Sequence, residues 1–247
     1  MLVEAGEIAL RWFRTELDAE DKGGDRGYDP VTIADRDIEG VVRRRLMAAY
    51  PDHEVVGEEA GSSGPLGRYR WLVDPIDGTK AFVTGSPLWG TLLGLLDGGR
   101  PVAGWIDQPY LEERFVGIAG RGAWMERRGS RHPLRTRRDV SLGHAVLYCT
   151  TPAMFTDPAE RALFEAVSSR ARLVRFGGDC YAYAQLAMGH VDVVIDTGLQ
   201  PYDIVAPMAV IEAAGGIVRG GGGQSAANGG FVVAAGSVEL AAEIAAL

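Results

Sequence analysis

Cysteine, histidine and lysine are all scarce in this chain, and each scarcity excludes something. The only cysteines, Cys149 and Cys180, form no C-x-x-C pair, so both are read as reduced thiols and no disulfide framework is expected. The four histidines, His53, His132, His144 and His190, lack zinc-like spacing, which leaves a histidine-built metal site without support. Lys22 and Lys80 are the only lysines, and arginine carries the remaining positive charge. No apolar run approaches the length that spans a bilayer, and Glu4 and Glu7 stand where a secretory leader carries basic residues. The expectation is a cytoplasmic protein with no membrane partner.

Positive charge as a whole is in deficit, with 25 basic against 33 acidic side chains and a formal charge of -8. A field of that sign repels the phosphate backbone, so nucleic acid is not an expected partner. The same sign opposes any small anionic substrate, unless some of the acids hold cations that invert the local potential. What is present is otherwise ordinary for a folded protein: 47% hydrophobic and 23% charged residues in 247. That length predicts one compact body of two sub-domains, 1–135 and 136–247, parted by the basic segment from Arg127 to Asp139.

Apolar residues at three- and four-residue steps predict a helix over 2–17 and a second one through Ile38, Val41, Val42, Leu46 and Ala49, with a Gly- and Asp-rich loop between them as a candidate lid. Short apolar runs at 55–56, 71–73, 91–96, 102–106 and 115–118 suggest an antiparallel sheet. Beyond the basic segment, strands at 145–149, 173–176, 191–195 and 231–234 alternate with helices at 158–170, 181–188 and 203–214, which predicts an α/β half. The run Gly220–Gly223 reads as a flexible loop rather than a phosphate cradle, since no Lys-Ser or Lys-Thr follows it.

Acids recur at the ends of these predicted elements. In WLVDPIDGTK, residues 71–80, an apolar strand runs into Asp74 and Asp77. Pro75 restricts Asp74 to extended geometry and Gly78 lets the chain turn closely, so the two carboxylates can converge as hard-cation ligands. Taken alone, Asp77-Gly78 also reads as a hairpin turn. Gly57-Glu58-Glu59 ends a strand, either as a ligand supplier or as a solvated acidic pair. In DPVTIAD, residues 29–35, Thr32 and Asp35 have capping-box-like spacing. Asp203, before an apolar helix, reads equally as an N-cap.

In this order the four segments resemble the inositol monophosphatase superfamily, whose pattern is an early D-x-V-T-x-x-D, then G-E-E, then D-P-I-D-G-T, then W/Y-D before an A-G-G helix end. The likeness covers residues 22 to 216. It implies an α/β (α+β layered) fold, an alternating α-β-α-β-α sandwich of the sugar-phosphatase type, and a magnesium-dependent phosphomonoesterase that hydrolyses small phosphate esters as a homodimer. By the same resemblance, Glu58, Asp74, Asp77, Asp203 and the carbonyl of Ile76 would hold two or three Mg2+, with Mn2+ as a substitute. Asp35 and Thr79 would orient and deprotonate the attacking water, with Glu58 also among the catalytic groups. The amides of Gly78 and Thr79 would hold the phosphate, and Glu59 would support the ligands from behind. Two metals roughly 3.5–4 Å apart suit the in-line displacement of phosphoryl transfer.

Three substrate-side features look more like histidinol-phosphate phosphatases than inositol phosphatases. Lys80 follows D-G-T where inositol enzymes usually read threonine. Asp179, in Arg175-Phe176-Gly177-Gly178-Asp179-Cys180-Tyr181, stands where alanine is usual, and Asp196 precedes Gln200-Pro201-Tyr202-Asp203. Asp179 and Asp196 are expected to face a cationic leaving group, which histidinol offers and inositol does not. Their plainer readings are a helix N-cap and a strand-end surface acid. A broad inositol or sugar monophosphatase, a 3′,5′-bisphosphate nucleotidase and a catalytically silent metal-binding homologue are the alternatives. Lys22 lies seven residues before Asp29, an offset from the family's lysine near the lid.

Overall fold

The first helix ends sooner than its apolar spacing predicts. α1 spans Leu2–Trp12. Phe13 then leaves the helix in an extended conformation, and its ring packs on Phe82, Trp89 and Tyr110 at centroid distances of 5.3, 5.2 and 5.0 Å. Aromatic packing against the core outweighs continuation of the helix here. The computed structural model describes residues 1–15, 20–21, 30–31 and 33–247. The candidate lid and Lys22, Asp29 and Thr32 lie outside the described residues, save for two short strands, β1 (Glu20–Asp21) and β2 (Pro30–Val31), that pair antiparallel.

The second helix, α2 (Ile33–Ala49), is followed by β3 (Glu54–Gly57), β4 (Gly61–Ser63), β5 (Tyr69–Asp77) and the five-residue α3 (Thr79–Val83). A meander of β6 (Gly90–Asp97), β7 (Arg100–Gln108), β8 (Glu113–Ile118), β9 (Gly122–Arg127) and β10 (Ser130–Pro133) completes an eight-stranded sheet of order β10-β9-β8-β7-β6-β5-β3-β4. The sheet is not wholly antiparallel as expected: β3 and β5 run parallel, because β4 intervenes and occupies the edge instead. The basic segment 127–139 is not a bare linker either, since it supplies β10 to the opposite edge.

The second half alternates as its sequence predicts apart from β14, a strand the periodicity did not indicate: β11 (Val146–Cys149), α4 (Pro158–Ser168), β12 (Leu173–Phe176), α5 (Asp179–Ala187), β13 (Val193–Leu199), α6 (Pro201–Ala213), β14 (Ile217–Gly220), β15 (Gly230–Ala235) and α7 (Val238–Ala245). Its five-stranded sheet has order β12-β11-β13-β15-β14, parallel through the first three strands and antiparallel beyond. The glycine run read as a loop begins inside β14 and continues as a short 3-10 turn at Gly221–Gly223.

Five layers result, α-β-α-β-α, as the family resemblance implies. α1 and α2 bury Leu2, Ile8, Ile38 and Val42 against Trp71, Val73 and Leu93 of the large sheet. α5 and α6 fill the space between the sheets, where Leu92, Ile106 and Phe115 meet Ile204, Val210, Val194 and Val232. α4 and α7 cover the far face of the small sheet through Phe164, Val167, Leu240 and Ile244.

A row of glycines sets the height of α6. Gly94, Gly104 and Gly117 are cross-strand neighbours on β6, β7 and β8. A Cβ on them would stand 2.7 Å from Val205 Cγ1, 2.3 Å from the Ala206 carbonyl oxygen and 2.4 Å from Val210 Cα. The missing side chains let the helix backbone lie directly on the sheet. α6 is therefore apolar on both sides, and its first turn is carried to the end of β5.

Candidate active site

Strand alternation decides where Asp74 points. On β5, Trp71 and Val73 face α1 and α2, whereas Leu72 packs on Val205 of α6. Asp74 shares the parity of Leu72 and so lies on the α6 side, where a register shift between Asp74 and Asp77 ends regular pairing. Thr91 donates to the Pro75 carbonyl at 2.8 Å and holds this bend. Gly78 follows with φ 83°, and a Cβ there would lie 2.9 Å from the Leu88 carbonyl oxygen, so both backbone angle and space demand glycine. α3 begins at Thr79, whose hydroxyl donates to the Ile76 carbonyl at 3.0 Å.

Asp203 arrives from the other half on the first turn of α6. Its Oδ2 accepts the Gln200 amide at 2.7 Å, so it closes the helix start from inside while Gln200 holds the N-cap position. Asp74, Asp77 and Asp203 each bring a carboxylate oxygen to within 4.8 Å of the others. Burial pushes the Asp74 carboxyl well above the usual range, and the charges of Glu58, Asp77, Asp203 and Asp35 push it further. The acids of all four sequence segments therefore act on one point. Asp77 is also raised, by burial and by Asp179 and Asp203, although the Cys180 amide at 2.6 Å opposes the rise.

The donor set fits hard divalent cations. Every group is a carboxylate or a carbonyl oxygen, and Asp74 Oδ1 is buried without a hydrogen-bond partner among the described residues. Like charges at this spacing in a low-dielectric site are stable together only when protonated or when cations lie between them.

The expected substrate residues separate into two groups. Asp179 does stand at the site, with its Cβ 3.1 Å from where a Gly78 Cβ would be. It is the first residue of α5 with φ 42°, and the N-cap position belongs to Gly178, so the plain N-cap reading of Asp179 is not what the fold uses. Burial pushes its carboxyl up to about 6, and Lys80, exposed on α3, pulls it back. Asp196 is not the open acid expected beside a cationic leaving group. It is buried, with Oδ1 on the Thr150 amide at 2.7 Å and Oδ2 on the Tyr183 hydroxyl at 2.9 Å. Tyr183 lies one helical turn after Asp179 on α5, so Asp196 anchors that helix.

Glu59 has its amide on Glu39 at 2.7 Å and its carboxylate 4.0 Å from Arg36. Glu39 itself, a buried acid on α2, was not singled out by motif. Its position four residues after Asp35 and four before Arg43 is the signal that could have found it.

Carboxylates converging from strand and helix ends, one buried and two half-buried, could hold divalent cations of the kind used in phosphoryl transfer. A profile described as the inositol monophosphatase family matches residues 1–247. The chain is 42% identical over 216 residues to a chloroplastic bifunctional phosphatase, IMPL2, of Arabidopsis thaliana, covering 87% of this chain and 60% of that protein's length. It is 37% identical over 188 residues to the histidinol-phosphatase of Mycobacterium tuberculosis, covering 76% and 72%. A solved inositol monophosphatase from Zymomonas mobilis superposes with a TM-score of 0.85 at 35% identity, over 99% of this chain and 93% of that one. The chain belongs to the inositol monophosphatase family, a family of metal-dependent phosphatases.

Proposed function

We propose that this chain is a magnesium-dependent phosphomonoesterase that hydrolyses histidinol phosphate to histidinol and phosphate. The observation that supports the substrate is Asp179: an acid beside the Gly78 turn, of a charge that suits a cation attached to a phosphate ester. Among the described residues its carboxylate has no hydrogen bond, and Lys80 is the cation whose charge acts on it. Two relatives named histidinol-phosphatase, 37% and 33% identical, support the same reading. The inositol monophosphatase of Zymomonas mobilis favours the alternative, an inositol or broad sugar monophosphatase.

Glu58, Asp74, Asp77, Asp203 and the Ile76 carbonyl would hold the ions. Bound there, divalent cations supply the positive charge that phosphoryl oxygens and a leaving alkoxide require. The amides of Gly78 and Thr79 bind the phosphate in this reading, since they stand at the start of α3, where the left-handed Gly78 is the N-cap. The Thr79 hydroxyl donates to the Ile76 carbonyl at 3.0 Å; turned to donate to Asp35 instead, it would give its own proton to that carboxylate while a lone pair takes one from the attacking water. Asp179 binds the substrate amine, with Lys80 as its resting counter-charge.

The test is phosphate release by purified protein with Mg2+, comparing kcat/KM for histidinol phosphate, inositol 1-phosphate and adenosine 3′,5′-bisphosphate. A preference of about a hundredfold for histidinol phosphate, roughly 2.7 kcal/mol in the transition state, supports the assignment. Flat or inositol-favouring rates remove it and leave the metal site; no release at all points to a silent homologue.

A further inference from the structure

Two acids stand one helical turn apart on α2, and only Asp35 belongs to the metal-site motifs. The other, Glu39, is 1% exposed. Both of its oxygens are committed to the turn after β3: Oε2 accepts the Glu59 amide at 2.7 Å, and Oε1 accepts the Ala60 amide at 3.0 Å. Arg43, a further turn along α2, donates to Oε1 at 2.7 Å. It also binds the Val55 carbonyl at 3.0 Å, the Ser63 hydroxyl at 2.7 Å and the Gly61 carbonyl at 2.7 Å. Gly57 leaves room for the arrangement, since a Cβ there would lie 2.3 Å from the Glu39 carboxylate.

Glu58 sits between Gly57 and Glu59 in this clamped turn. Its own amide donates to the Val73 carbonyl at 3.2 Å, one residue before Asp74. Gly57 pairs with Val73 in the parallel ladder of β3 and β5, so Glu58 follows beside Asp74, and two ionised carboxylates so placed repel. A loose turn would relieve that repulsion by carrying Glu58 away. Glu39 opposes the escape without adding to the repulsion, because two amides and a guanidinium satisfy its charge.

We propose that Glu39 is a positioning residue for metal binding: it pins the Glu58-Glu59-Ala60 turn to α2 and so keeps Glu58 beside Asp74. The inference rests on Glu58 being a ligand. Glutamine at 39 offers one acceptor only, and its amide nitrogen would confront a donor.

The experiment measures Mn2+ affinity of the full chain by calorimetry and by the Mn2+ spin-resonance signal, alongside Tm without metal. Glu39→Gln is expected to weaken Mn2+ binding at least about tenfold, while KM at saturating metal moves less than about threefold. Binding within twofold of the unmodified protein overturns the proposal, whatever happens to Tm. Glu58→Gln separates the two claims. If it leaves Mn2+ binding intact, Glu58 is not a ligand; if it weakens binding and Glu39→Gln does not, the positioning role alone fails. A loss in Glu39→Gln with none in Glu58→Gln also overturns the proposal, because the clamp would not then act through Glu58. Should Glu39→Gln fail to fold, Gly57→Ala, whose methyl must displace the Glu39 carboxylate, carries the same expectation, and unchanged binding in it is equally fatal.

Discussion

The amide of Cys180 donates to Asp77 Oδ2 at 2.6 Å across 103 residues of sequence. This bond fastens the first turn of α5 to the end of β5, and Asp179, one residue earlier, is thereby held beside Gly78. Because Asp179 lies in the left-handed region at φ 42°, asparagine is the cleaner substitution; alanine adds backbone strain there. Asp179→Asn is expected to lower kcat/KM for histidinol phosphate about 10- to 100-fold, the worth of a charge-assisted hydrogen bond, and to change inositol 1-phosphate hydrolysis by less than about threefold. Steady-state kinetics on both substrates decide it. Equal losses would show that Asp179 does not choose between them.

The raised carboxyls of Asp74 and Asp77 tie metal binding to pH. A folded-state carboxyl above its unfolded value contributes stability that is present at low pH and lost as pH rises, so the metal-free protein loses ground toward neutrality. Cations that bind the ionised cluster reverse the loss. The gap in Tm between Mg2+-saturated and chelator-treated protein should therefore widen from pH 5 to pH 8. At a hundredfold excess over Kd the stabilisation is about 2.7 kcal/mol, or roughly 5–10 °C. Calorimetric scans across that range check it, and a gap independent of pH would remove the carboxylates from the linkage.

Asp196 contributes in the same direction. Burial moves its carboxyl from 3.8 to about 6, so its share of stability is complete below pH 4 and gone once pH has risen past 6. A shift of that size corresponds to about 3 kcal/mol. Asparagine can accept the Thr150 amide and donate to the Tyr183 oxygen. The stability of the unmodified protein relative to Asp196→Asn should consequently fall by up to about 3 kcal/mol between pH 4 and pH 7, as read from urea unfolding.

Gly104 tests the contact that brings Asp203 to the site. A methyl at 104 meets the Ala206 carbonyl oxygen at 2.3 Å and must lift α6 from the sheet. Gly104→Ala is expected to cost about 1–3 kcal/mol and to weaken Mg2+ binding, since Asp203 rides on that helix. Gly143→Ala, with open space around it, should be within about 0.5 kcal/mol of neutral and bind Mg2+ normally. Urea denaturation and Mg2+ titration of both variants distinguish a local packing defect from a displaced ligand.

Much of this protein was legible before any coordinate. The apolar run into Asp74, the proline and glycine around Asp77, and the alternation of strands and helices after 145 are local patterns that local sterics favour. Asp74 and Asp77 could thus be named as converging acids, Asp203 joined them only through the family resemblance, and the helices and strands of the second half, β14 apart, fall where their periodicity places them. What stayed illegible was long-range. The parallel pairing of β3 with β5 follows from β4 taking the edge, the early end of α1 from the aromatic pocket that receives Phe13, and the fate of Asp196 from Tyr183 and Thr150 reaching it first. An acid's chemistry is written in its residue type, but its burial, its partners and its backbone angle depend on segments far away in the chain. Sequence alone therefore determined which oxygen donors this chain carries; only the tertiary structure decided that Asp179 stands half-buried beside the Gly78 turn, that Asp196 is an anchor, and that Glu39 holds the Glu58 turn in place.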